Sequence, residues 1–189
     1  QIANTCILSD EVVVDHDLSI TGNDNTHTTL FAASSKRHFK VNGPFTLTLT
    51  WLNMTAGAPT GDVHGGSIYI NNFAGHLNIT HCVFYNNSGA IYGGAIYAND
   101  ETTKNVLVSL TNTKFIRNSA TRYGGALSLW DGILNSYNVQ YVKNTAGHSG
   151  GAMNLYYLKE GSTMINDLFT MNEAVNVGGG IEIYGAGQR

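Results

Sequence analysis

The sequence predicts an all-β protein, a parallel β-helix of about six coils with no significant helix, as a single domain over residues 1–189. Three observations carry that prediction. A doubled glycine followed by a small and then an apolar residue occurs five times: Gly65-Gly66-Ser67-Ile68, Gly93-Gly94-Ala95-Ile96, Gly124-Gly125-Ala126-Leu127, Gly150-Gly151-Ala152-Met153 and Gly178-Gly179-Gly180-Ile181. An aromatic residue and an Asn three positions later precede four of these pairs: Phe84/Asn87, Phe115/Asn118, Tyr141/Asn144 and Phe169/Asn172. Finally, the residues after each glycine pair alternate with a period of two, which is the period of a strand and not of a helix.

The glycine pairs are separated by 28, 31, 26 and 28 residues, yet each Asn stands six positions before its glycine. A constant inner spacing inside a variable outer one marks a repeat with one loop free to change length. Residues 65–183 hold the clear copies, about 28 residues each.

Taken in chain order, Leu18-Ser19-Ile20 and Thr46-Leu47-Thr48-Leu49-Thr50 alternate as strands, as do Leu77-Asn78-Ile79-Thr80 and Val106-Leu107-Val108-Ser109-Leu110. After the glycine pairs the apolar set is Ile68/Ile70, Ile96/Ala98, Leu127/Leu129, Met153/Leu155 and Ile181/Ile183. In stacked coils Phe84, Phe115, Tyr141 and Phe169 form an inner aromatic column, and Asn87, Asn118, Asn144 and Asn172 form a corner ladder of amides. The glycine pairs turn a corner that needs positive φ and close approach of neighbouring backbone. Residues 1–20 are irregular and are expected to be a partial N-terminal cap.

Composition excludes several classes. Charged residues make up 12% and the formal net charge is −3, with no basic run longer than Lys36-Arg37, so a nucleic-acid surface has no electrostatic basis. No apolar run reaches the ~20 residues that cross a bilayer as a helix, so membrane insertion by a helix is not expected. Asn53-Met54-Thr55, Asn78-Ile79-Thr80 and Asn86-Asn87-Ser88 fit the acceptor rule for N-glycosylation, which points to a secreted, extracellular or cell-surface protein with N-linked glycans at Asn53, Asn78 and Asn86. The two cysteines, Cys6 and Cys82, could pair in an oxidising compartment; the alternative is two buried or free thiols.

The chemistry-bearing residues are sparse. Val14-Asp15-His16-Asp17 places two carboxylates around a His, but in a strand the carboxylates share one face and the His takes the other; a polar edge strand or cap accounts for it. Asp100, Glu101, Asp131 and Glu160 recur where strands end, and turn acids explain them better than Ca²⁺ does. The His residues lack metal-ligand spacing. No catalytic residue, metal or cofactor is expected. Tyr69 and Tyr97 fall on one outward column, with Tyr92 in the turn before, and such a strip either stacks on sugar rings or merely covers the sheet.

The Phe-x-x-Asn and Gly-Gly-Ala-Ile couplets resemble the repeats of the polymorphic outer-membrane-protein family, which occur in microbial and algal surface proteins. Phe84/Asn87 with Gly93-Gly94-Ala95-Ile96 is the cleanest copy, and the copies at Tyr141 and Gly180 depart from it. The resemblance implies a right-handed, pectin-lyase-like β-helix and a role in display, adhesion or structure. Residues 1–64 share it only loosely.

The chain stops at "GGGIEIYGAGQR", soon after a strand still in the repeat pattern. Ile181, Ile183 and Tyr184 are therefore expected to form an assembly edge. The leading expectation is a non-enzymatic extracellular structural protomer that stacks head to tail with copies of itself into a glycosylated fibre or surface layer. The alternative is an adhesin or carbohydrate-binding fragment of a larger surface protein, with glycans or the cell-surface matrix as partners. A polysaccharide lyase-like enzyme is the remote alternative, since the shared architecture alone does not exclude it.

Overall fold

The computed structural model describes residues 5–24, 26–61, 64–71, 74–89, 91–100, 102–103 and 105–185. These residues form a parallel β-solenoid of about six turns and contain no helix. Three long sheets run the length of the solenoid. Sheet I is built from Thr5–Ile7, Thr28–Phe31, Leu52–Thr55, Val83–Tyr85, Lys114–Ile116, Gln140–Val142 and Leu168–Thr170. Sheet II is a narrow corner ladder of Ser88–Gly89, Ser119–Ala120, Thr145–Ala146 and Glu173–Ala174. Sheet III carries Val12–Val14, Phe39–Val41, Ile68–Asn71, Ile96–Asn99, Leu127–Trp130, Met153–Tyr156 and Ile181–Tyr184. Sheet IV carries Leu18–Thr21, Thr46–Thr50, His76–Thr80, Val106–Thr111, Gly132–Tyr137 and Thr163–Ile165. Each coil visits I, II where present, III and then IV.

Every strand pairs in parallel with its copy in the next coil, so equivalent side chains stack in columns about 4.8 Å apart. One inward column of sheet I runs Leu30, Met54, Phe84, Phe115, Tyr141, Phe169. Its aromatic rings lie nearly parallel, with centroids 4.8, 5.2 and 4.7 Å apart. Inward residues of sheets III and IV, such as Ile68, Ile96, Leu127, Leu77 and Val108, complete a core with no solvent exposure.

The Asn ladder occupies the corner after sheet I. Asn118 accepts at Oδ1 from the backbone N–H and the Nδ2 of Asn87, both at 3.0 Å. Its own Nδ2 donates to Asn144 Oδ1 and to the Phe84 carbonyl, again at 3.0 Å. All four hydrogen-bonding positions of the amide are thus filled, which is what a fully buried Asn requires. Asn144 repeats the pattern with Asn172 and the Phe115 carbonyl. The ladder starts at Gly57, whose N–H donates to Asn87 Oδ1.

The two glycines of each pair answer to different demands. The first has φ between 58° and 65° in all five copies, a conformation that strains side chains with a Cβ. The second turns its Cα hydrogens onto the next coil: a Cβ on Gly94 would lie 1.9 Å from Gly125 O, and one on Gly125 would lie 2.2 Å from Gly151 O. No side chain fits there.

Two expectations need correction. The stretch 5–20 is not a cap: Thr5–Ile7, Val12–Val14 and Leu18–Thr21 pair in register with the following coil in sheets I, III and IV. Residues 1–4 lie outside the described residues. This first coil lacks the Gly-Gly and Asn signals because side chains hold it instead. Asp17 Oδ1 accepts the Thr46 N–H at 2.8 Å, and Glu11 pairs with the buried Arg37 at 2.5 Å. The Cys6–Cys82 disulfide is also ruled out. Both thiols are free, and two strands of sheet I separate the strand of Cys6 from the segment that carries Cys82. Three steps of the sheet span roughly 14 Å, about twice the Cα separation a disulfide tolerates. Burial pushes the Cys82 thiol up to about 11.

The glycine geometry gives a paired test. Gly125→Ala is expected to cost about 1–3 kcal/mol and to lower the urea midpoint, because the Thr145 and Gly151 carbonyls must move. Gly179→Ala, where the nearest atom to the added Cβ is Asn172 O at 3.2 Å, is expected to shift it little. Equal losses at both positions would show that backbone freedom, and not close approach, selects the second glycine.

Candidate functional site

The outer face of sheet III differs from the others. Its strands are buried on both faces over Ile68–Ile70 and Ile96–Asn99, where alternation alone predicts one wet face. The residue before each glycine pair provides the cover. His64, Tyr92, Tyr123, Ser149 and Val177 form a column of isolated parallel bridges alongside the sheet. The His64 ring stacks on Tyr97 at 4.5 Å, and Tyr92 lies 5.6 Å from the same ring. Arg37 sits 4.7 Å over the Tyr69 ring. Tyr69 and Tyr97 are therefore 7% and 4% exposed, and the expected solvent-facing tyrosine strip is a covered layer at these two coils.

Further along, the outward column that holds Tyr69 and Tyr97 continues as Ser128, Asn154 and Glu182. A groove of about 300 Å³ opens over Asn154 and Glu182, with Ser128 fully buried beneath its lining and Asn154 only 3% exposed. One wall is Tyr92, Tyr123 and His148; the other is Trp130, Tyr156 and Tyr184. Trp130, Tyr156 and Tyr184 occupy one column in register, with stacked ring centroids 4.6 and 4.8 Å apart. Tyr92 stacks on Tyr123 at 5.3 Å and meets Trp130 edge-on at 5.1 Å, which closes the groove at that end.

The floor is a directed chain of hydrogen bonds. Trp130 Nε1–H donates to Ser128 Oγ at 3.2 Å, Ser128 donates to Asn154 Oδ1 at 3.3 Å, and Asn154 Nδ2 donates to Glu182 Oε2 at 2.7 Å. The chain holds each side chain in one rotamer and ends on a carboxylate that makes no ion pair among the described residues. No Lys or Arg lines the groove, although Arg122 lies 5.3 Å from the Tyr123 ring centre on its rim. Three of these residues share one offset in the sequence: Trp130, Tyr156 and Tyr184 each stand six positions after the first glycine of a pair. That alignment is the signal that locates the groove, and reading only the two residues nearest the glycines misses it.

The other sequence candidates sit apart from the groove. His16 and Asp15 pair at 2.7 Å on the surface, far more exposed than a working acid–base pair, while Asp17 caps a strand. Asp100 is fully buried; burial opposes its ionisation, but donation from Thr102, Thr103 and Asn105 outweighs it and holds the carboxyl well below the usual range. Its acceptor capacity is consumed by its own turn. Asp131 has φ of 52° at a corner, Glu160 is exposed and Glu101 lies outside the described residues. No group of three or more His, Cys, Asp or Glu among the described residues could hold a metal.

Of the glycosylation candidates, Asn86 is exposed at a corner with φ of 54°. Asn53 and Asn78 are half-buried on strands of sheets I and IV, paired on both sides. Ile181, Ile183 and Tyr184 lie on the last strand of sheet III, which pairs with Met153–Tyr156 on one side.

Residues 81–99 match the Chlamydia polymorphic membrane protein repeat, a segment that includes Phe84, Asn87 and the Gly93-Gly94 corner. That segment and the parallel β-solenoid fit a β-helix repeat of this type, and such a repeat suggests a surface or adhesin-like β-helix protein. Comparison with curated proteins and with solved structures gave no match.

The most perturbed histidine lies outside the groove. His38 is buried; its Nδ1 accepts from Ser67 Oγ and its Nε2–H donates to the Leu30 carbonyl, both at 3.0 Å. Desolvation pushes it down to about 4 from 6.5. The unfolded chain therefore binds a proton that the folded chain refuses between these values. The contribution of His38 to stability is fully present above pH 6.5 and is lost on acidification towards pH 4, by on the order of 3 kcal/mol. Urea midpoints at pH 7 and pH 4.5 are expected to differ markedly in the wild type and less in His38→Gln.

Proposed function

We propose that this chain is a non-enzymatic, surface-displayed β-helix module of the adhesin type, which works through the lateral groove of sheet III. The observation that carries the reading is the combination of polymorphic-membrane-protein-type repeats with one ordered aromatic groove outside the repeat scaffold. The repeated polar residues are already consumed by the scaffold: the Asn amides stack on each other and Asp100 closes its own turn. Glu182 stands as the single carboxylate of the groove, whereas glycoside hydrolysis employs two, and no cation lines it to neutralise a uronate. These features weigh against the lyase-like alternative. Antibody against residues 65–183 is expected to label intact, unpermeabilised cells of the producing organism. Labelling only after permeabilisation would overturn the surface reading.

A further inference from the structure

We propose that the groove over Asn154 and Glu182 binds an uncharged oligosaccharide lying along the solenoid axis; this deepens the surface-module reading and rests on it. The groove crosses the coils of Tyr92, Tyr123 and Tyr156 and ends at that of Tyr184, a run of roughly 14 Å at the spacing of stacked strands. The tyrosines that line it, Tyr92, Tyr123, Tyr156 and Tyr184, therefore bring a phenolic hydroxyl from each successive coil. A linear polymer with hydroxyls at every unit matches such a line, whereas a small ligand would meet only one step of it.

The ring geometry favours this class over a cationic one. A quaternary ammonium ligand is held by aromatic faces converging on one point. Here Trp130, Tyr156 and Tyr184 spend their faces on each other, at interplanar angles of 26° and 8°, and turn edges towards the groove. Phenolic hydroxyls, ring edges and side-chain amides suit a ligand that is apolar on its ring and polar on its rim. Glu182 then sets the charge preference. One of its oxygens is held by Asn154 and the other is open to accept from sugar hydroxyls. An acidic sugar would bring a second carboxylate against it while the nearest guanidinium, Arg122, stands on the rim beside Tyr123 and outside the lining, a like-charge contact that selects against uronic polymers.

Trp130 reports the site directly. The chain has two tryptophans, and Trp51 stacks on His81 in a corner elsewhere, so Trp51→Phe leaves Trp130 as the single tryptophan, which excitation at about 295 nm selects over the ten tyrosines. Titrating that variant with the hexasaccharides of β-linked glucan, mannan, xylan and chitin is expected to give a saturable change in emission with at least one of them, and the sugar is expected to be recovered intact. Hexagalacturonate is expected to bind about tenfold more weakly or worse, and Glu182→Gln to narrow that gap. Tyr156→Ala is expected to weaken the neutral ligand by about tenfold while circular dichroism stays unchanged. No saturable response to any neutral hexasaccharide up to about 10 mM overturns the proposal, as does preferential binding of hexagalacturonate or tetramethylammonium. Because cell-surface labelling is a separate measurement, a labelled surface with a silent titration removes the sugar and leaves the surface module standing.

Discussion

Everything in this protein depends on keeping successive coils in register at the spacing of a parallel sheet. Strand pairing alone does not enforce that register, because a slip by two residues preserves the alternation of faces. The corner after sheet I enforces it. Each buried Asn amide is satisfied only when its neighbours sit directly above and below, since both oxygen bonds and both nitrogen bonds cross between coils. A slip would strand four buried polar positions at once, at roughly 1–3 kcal/mol each. The glycine corner adds a steric constraint. Backbone oxygen of the next coil fills the space of the missing Cβ, so the coils can close to their spacing there and nowhere admit a bulkier residue.

Once the corners are fixed, the columns between them are free to vary, and the proposed binding function resides in that freedom. Along one outward column of sheet III the side chain changes from Tyr69 and Tyr97 to Ser128, Asn154 and Glu182 without disturbing the pairing. The smaller side chains sink this column below the neighbouring aromatic columns, and a groove is left between those rings. The solenoid supplies a ruler, and the choice of side chain at each mark decides whether the surface is closed or open.

This division explains which features were legible in the sequence. The strands after the glycine pairs, the Asn couplets and the period of the repeat follow from local rules, because each coil repeats the same residues for the same reason. Of the first coil only the strand at Leu18-Ser19-Ile20 was legible, since Asp17 and the Glu11–Arg37 pair perform there the tasks that Asn and Gly perform later, and nothing in their spacing says so. The burial of Tyr69 and Tyr97 was hidden for another reason. Alternation assigns a face, but it does not say that the His64 and Tyr92 rings fold back over that face from a turn. The groove wall was recoverable in principle, because Trp130, Tyr156 and Tyr184 share one offset from their glycines; the unequal periods of 26 and 28 residues conceal it unless the repeat is aligned on the corner.

The hydrogen-bond chain on the groove floor connects scaffold and function most closely. It runs along the same axis as the Asn ladder and uses the same coil-to-coil spacing, but the ladder amides of Asn87, Asn118 and Asn144 are fully buried, whereas Glu182 is half-buried. In the ladder, complete satisfaction makes the amides structural and chemically inert. On the groove floor the last member keeps unused acceptor capacity, held in place by every donor behind it. A binding group of this kind is pre-oriented before any ligand arrives, so less ordering entropy is lost on binding. The repeat that builds the rod therefore also supplies the rigidity that a lateral binding groove needs.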